Sequence, residues 1–119
     1  MGKTYDLEER LIDFAVNIIS VTKGLPKTYV GKQLGKQLIR SGTSPALNYG
    51  EAQWAESRKD FVHKMKICLK ELRETQVCLK IILKSNISRL KTDLENVRKE
   101  SDELVAIFST SIKTAKHNK

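Results

Sequence analysis

The chain has 119 residues, of which 39% are apolar and 30% are charged. This length fits one domain with a packed core. Its 22 basic and 14 acidic residues give a net charge of +8, which favours an acidic partner such as nucleic acid. No run of about 20 apolar residues is present, and the polar, acidic start lacks the layout of a secretory signal. We therefore expect a cytoplasmic protein with no membrane partner.

Apolar residues recur at intervals of three and four along most of the chain, and only two prolines and six glycines interrupt it. This pattern predicts an all-α fold. Four amphipathic segments with short breaks between them are typical of an antiparallel, up-down-up-down four-helix bundle, here one domain over residues 1–119. The predicted helices span about 7–23, 29–55, 58–84 and 89–116. Their candidate N-caps are Asp6, Thr28, Ser57 and Ser88.

The first two segments are unusual. The first is apolar on more than one side, because Ile12, Val16 and Ile19 add a second row to its main face. The second contains Pro45, which removes a backbone hydrogen bond and crowds the preceding turn. We expect the second helix to be kinked or broken near Pro45. Its glycines, of which Gly31 and Gly35 are four residues apart, would let a neighbouring helix approach closely.

No feature of the sequence indicates catalysis or a cofactor. Cys68 and Cys78 are separated by about 15 Å along a helix, too far for a disulfide, and are interpreted as small core residues. The two histidines lack the spacing of a zinc site. No phosphate loop, nucleophile elbow or metalloprotease motif is present. The sequence therefore predicts a protein that is not an enzyme and binds neither metal nor cofactor.

A polar constellation interrupts the predicted core. Arg40, Ser44, Asn48 and Glu51 share one face of the second segment, and Glu74 and Thr75 lie at a comparable level of the third. A buried arginine would need a carboxylate, which Glu74 or Glu51 could supply. The first interpretation is a satisfied polar network that fixes helix register. The second is a ligand or catalytic pocket.

A basic stripe is the second candidate site. No acidic residue lies between Phe14 and Gly50, and Lys32, Lys36 and Arg40 recur there every four residues. The third segment adds Lys64, Lys66, Lys70 and Arg73. This surface is either a solvated face or a binding surface for the phosphate backbone of nucleic acid. No motif for reading bases is present.

Spare apolar surface is the third feature. Besides the second row of the first segment, Tyr29, Tyr49 and Trp54 lie off the main apolar faces. They either pack in the core and loops or form a subunit interface, where aromatic residues are favoured. We expect a homo-oligomer.

The stretch from Gln37 to Ala52, with Arg40-Ser41, Ser44, Asn48 and Glu51, resembles the signature of a bacterial family. Leu72-Arg73-Glu74-Thr75 in the third segment also matches. The family is the four-helix bundle proteins encoded within intervening sequences of 23S ribosomal RNA genes. The resemblance covers the whole chain and implies a ring-like homopentamer. A similar bundle is the basic accessory protein of diversity-generating retroelements, which engages nucleic acid and a reverse transcriptase. Pro45 departs from the family, which usually has an aliphatic residue there.

These observations leave three hypotheses. The first is a nucleic-acid-binding oligomer that contacts structured RNA or DNA through Lys32, Lys36, Arg40 and lysines of the third helix. The second is a ring-forming structural or adaptor protein whose partner is another protein. The third is an enzyme with a pocket at Arg40, Asn48, Glu51 and Glu74, which we rank last.

Overall fold

The fold is described by a computed structural model for residues 6–117. It contains α1 (Leu7–Thr22), α2 (Tyr29–Gln53), α3 (Arg58–Ser85) and α4 (Lys91–His117). No strand occurs in the described part of the chain. The predicted four-helix fold is confirmed, and each predicted helix end lies within two residues of the observed one.

Three helix starts are set by the predicted capping residues. The side chains of Asp6, Thr28 and Ser57 each accept a hydrogen bond from the backbone N–H three residues later. The prediction for α4 was two residues early. The Ser88 hydroxyl accepts from the Leu90 N–H, and the helix begins only at Lys91. The end of α3 is marked by Asn86 in the left-handed conformation, at φ 57°, which the sequence analysis had not assigned.

Helices that follow one another in the chain pack against each other, and α1 also contacts α4. The molecule measures 49 × 31 × 20 Å, and α3 alone is about 42 Å long. The N-terminal part of α2 contacts the C-terminal part of α3, and the C-terminal part of α2 contacts the N-terminal part of α3. The Cys78 thiol faces the Leu34 carbonyl, whereas Lys64 pairs with Glu51 near the other end of α2. These two helices are therefore antiparallel neighbours.

One apolar core runs the length of the bundle. Every helix contributes to it, and its largest fully buried side chains include Phe14, Leu38, Leu72 and Phe108. Tyr49 packs edge-on against Phe108 with ring centroids 5.9 Å apart. Tyr49 therefore belongs to the packed interior rather than to spare surface.

Close packing of α1 on α2 depends on a missing side chain. A Cβ atom added at Gly42 would lie 2.8 Å from both Cγ atoms of Ile18, which is itself fully buried. The expectation that glycines of the second helix permit close approach is confirmed at this contact.

Pro45 lies inside α2, which continues as one helix from Tyr29 to Gln53. The helix is therefore not broken there, and a kink at this point stays a prediction. The Pro45 carbonyl faces the Cys68 thiol at 3.6 Å. Pro45 is buried, and the contact of its carbonyl with Cys68 connects α2 to α3.

Several large apolar side chains remain at the surface. On α1, Ile12, Val16 and Ile19 are 40%, 57% and 44% exposed, as the double apolar row predicted. Leu47 on α2 and Trp54, the residue that follows α2, are 70% and 86% exposed. None of the four helices combines the length and apolar character needed to cross a bilayer.

Candidate nucleic-acid interface and polar network

The basic stripe on α2 divides into two kinds of side chain. Lys32 and Lys36 are exposed, and neither forms an ion pair with any residue that the structure describes. Arg40 is half exposed and binds two carboxylates of α3, with 3.0 Å to Glu71 and 2.5 Å to Glu74. The hydrogen bond with Glu74 is the main cause that raises the pKa of Arg40. Lys32 and Lys36 are therefore the members of this stripe that are open to an anionic partner.

The predicted cations of α3 divide in the same way. Lys64 pairs with Glu51 at 2.6 Å, and this hydrogen bond raises the pKa of the lysine. Lys66, Lys70 and Arg73 are exposed and have no ion-pair partner within residues 6–117. Of the seven predicted contact residues, Arg40 and Lys64 are thus paired with carboxylates, while the other five have no such partner among the described residues.

The predicted polar network is three separate contacts rather than one. Arg40 joins Glu74, as the sequence suggested, although the arginine is exposed rather than buried. The Asn48 amide donates to the Ser44 carbonyl and hydroxyl at 3.0 and 2.8 Å, a contact within α2. The third contact involves Thr75 and lies deeper in the bundle. Glu51 stands apart from all three, because it is 60% exposed and paired with Lys64.

The deep contact joins two fully buried hydroxyl groups. Thr75 Oγ1 lies 2.9 Å from Ser41 Oγ and 2.9 Å from the Glu71 carbonyl. A hydroxyl carries one hydrogen, so Thr75 cannot donate to both groups. Because the Glu71 carbonyl can only accept, Thr75 donates to it and Ser41 donates to Thr75 when both bonds form. This pair links α2 to α3 inside the apolar core and fixes their relative position.

An apolar groove lies on the outer side of α2 and α3. Its volume is about 780 Å³, and Leu34, Val77 and Ile81 are among the side chains that line it. The charged residues along it include Lys66, Lys70 and Arg73. Three of the five open cations therefore border an apolar depression.

The described residues contain no group of three or more His, Cys, Asp or Glu side chains arranged to hold a metal ion. The carboxylates of the polar constellation each face a cation: Glu71 and Glu74 face Arg40, and Glu51 faces Lys64. The paired carboxylates and cations stabilise the packing of α2 on α3. The five cations without a carboxylate partner in the described residues present positive charge to solvent.

Sequence comparison places the chain in a family. The pattern shared by the 23S rRNA-intervening sequence proteins matches residues 3–110. The chain belongs to this family. The resemblance noted in the second and third helices is therefore confirmed.

A solved structure supports the same assignment. A protein of unknown function from the S23 ribosomal protein family of Bacteroides thetaiotaomicron is 34% identical. The match covers 91% of this chain and 99% of the other, with a TM-score of 0.77. None of the curated proteins compared with the chain matches it. Neither the family description nor that of this neighbour names an enzymatic activity.

Two contacts between helices of this 23S rRNA-intervening sequence protein were not predicted from the sequence. Glu71 was not assigned, although it lies three residues before Glu74 and so shares its helix face. Ser41 was not included in the predicted polar constellation. Its pairing with Thr75 depends on how α2 is aligned with α3, and no pattern within one helix reports that alignment.

Proposed function

We propose that this 23S rRNA-intervening sequence protein is a non-catalytic homo-oligomer that binds structured RNA or DNA through phosphate contacts. The observation that carries the proposal is the set of exposed cations without a carboxylate partner in the described residues. Neutralising phosphates releases condensed counterions, so such cations contribute affinity that is independent of base sequence.

Lys32 and Lys36 are the best probes of this surface. They lie one turn apart on α2, in a stretch with no acidic residue between positions 14 and 50. Placing two like charges at this spacing costs the isolated helix a few tenths of a kcal/mol, about 0.2–0.5. An anion bound across both would reverse that cost.

The test replaces both lysines and compares the result with an equal loss of charge elsewhere. The double variant Lys32→Gln with Lys36→Gln should weaken binding to a structured RNA and lower the slope of log affinity against log salt by about 2. The control is Lys91→Gln with Lys99→Gln, two exposed lysines on α4. If both variants lose the same affinity, binding follows net charge alone and the α2 surface is not the contact.

A second candidate function is favoured by exposed apolar side chains. Leu47 of α2 and Trp54, directly after its end, are 70% and 86% exposed, and they suit a protein partner. An adaptor function predicts that a partner captured from a nuclease-treated native lysate is lost with Trp54→Ala and kept with Lys32→Gln. Capture that occurs only when the nuclease is omitted would favour the nucleic-acid proposal.

A further inference from the structure

We propose that the outer face of α1 docks into the α2–α3 groove of a second copy of the chain, and that the two helices α1 and α3 run parallel there. This inference rests on the proposed self-association and identifies the two surfaces that form it. The evidence is that each surface is apolar, that neither is covered within residues 6–117, and that their charges are opposite in sign and arranged in the same order along the chain.

The α1 surface is an apolar stripe with acidic residues at one end. Ile12, Val16 and Ile19 follow one another at helical spacing and are 40–57% exposed. Exposed carboxylates surround the N-terminal half of the stripe, at Glu8, Glu9 and Asp13. Its C-terminal end carries the exposed cation Lys23.

The groove has the matching arrangement. Along α3, Lys66, Lys70 and Arg73 come first, and the apolar residues Val77 and Ile81 follow. Glu74 also lines the groove, but its carboxylate is paired with Arg40 of the same chain. Leu34 of α2 completes the apolar part. A stripe that begins acidic and ends apolar therefore meets a groove that begins basic and ends apolar.

Charge selects the parallel orientation. In that orientation the carboxylates near Asp13 face Lys70 and Arg73, while Val16 and Ile19 reach the apolar end of the groove. Reversing α1 would bring Lys23 against the basic end and leave the carboxylates over apolar residues, where they would lose solvation without a partner. Pairing two grooves would place basic side chains against one another.

An interface made of two different surfaces is heterologous. Each copy carries both an α1 stripe and an α2–α3 groove, so copies add one after another until they close a ring or extend a filament. Docking would place Lys70 and Arg73 against the neighbour's carboxylates. Lys32 and Lys36 do not line the groove and remain available for phosphate.

Two charge-reversed variants test the interface. The α1 variant carries Glu9→Lys and Asp13→Lys, and the groove variant carries Lys70→Glu and Arg73→Glu. By light scattering, wild type should exceed the 13.5 kDa of one chain. Each variant alone should raise the dissociation constant at least about tenfold, because like charges then meet. An equimolar mixture should regain assembly, because the reversed stripe now fits the reversed groove and the native stripe fits the native groove.

Each outcome separates the possibilities. A monomeric wild type would end the self-association proposal itself, with no bearing on binding by Lys32 and Lys36. An oligomeric wild type whose two variants keep their mass would overturn this interface alone. Loss of assembly in the α1 variant only would indicate that two α1 faces meet each other. If the α1 variant fails to unfold cooperatively, Val16→Asp replaces it, and Val77→Asp likewise replaces the groove variant. These residues are 57% and 53% exposed, and each substitution should also dissociate the assembly.

Discussion

Gly42 is a residue of α2 that packs directly against Ile18 of α1. Replacing it with alanine should destabilise the protein by about 1 kcal/mol. The added methyl would overpack Ile18 at a cost of about 1–3 kcal/mol, and the better helix propensity of alanine returns about 1 kcal/mol of this. Ile18 is β-branched and fully buried, so it has little freedom to move aside. The free energy of unfolding in urea measures the effect.

Gly50 gives a matched control in the same helix. No atom lies within 4 Å of a Cβ built there, so Gly50→Ala should stabilise the protein by about 0.5–1 kcal/mol. If both alanine variants are stabilising, α1 does not approach α2 as closely at Gly42 as described.

Cys68 provides a residue-scale prediction on pH. Burial raises the pKa of its thiol from 9.0 to about 12, and burial also raises the pKa of the Cys78 thiol. Because the thiolate is the reactive form, native Cys68 at pH 8 should react with a disulfide reagent about a thousandfold more slowly than an unfolded cysteine. The rate should rise with pH and become fast in urea.

The variant Cys78→Ala isolates the signal of Cys68 for this measurement. Complete labelling of the native variant within the time that the unfolded chain requires would show that Cys68 is accessible, contrary to its full burial.

At the scale of elements, the Ser41–Thr75 pair connects α2 to α3. Thr75→Val removes the hydroxyl, leaves Ser41 without this partner inside the core and should cost about 1–3 kcal/mol. The double variant Ser41→Ala with Thr75→Val should cost less than the sum of the two single variants, by at least about 0.5 kcal/mol. Urea unfolding of the four proteins measures this coupling, and strict additivity would mean that the pair does not hold the helices in register.

The elements also show how far sequence reasoning reaches. Helix bounds and three caps were predictable because each depends on residues within one or two turns, as with Thr28 and Gly31. The early start assigned to α4 came from treating Ser88 as its cap, whereas its hydroxyl serves the preceding loop. Pairings across helices, such as Thr75 with Ser41 or Arg40 with Glu71, depend on register and could not be predicted in full.

For the molecule as a whole, the net charge was predictable from composition. Which of its cations are free of carboxylate partners was not. The sequence marked seven cations as one interface. The structure shows that Arg40 and Lys64 are occupied by carboxylates on the neighbouring helix, which only the packing of α2 on α3 could show. The surface open to phosphate is therefore smaller than the sequence indicated, and α2 supplies Lys32 and Lys36 to it.

The most direct measurement is a salt titration of the wild-type protein with a structured RNA and with an unrelated DNA duplex. Phosphate binding by the open cations predicts similar affinities for both, and log affinity should fall linearly with log salt, by about 0.9 per phosphate contacted on the duplex. Absence of binding to either at about 50 mM salt, or an affinity unchanged between about 50 and 200 mM, would contradict nucleic-acid binding by this protein.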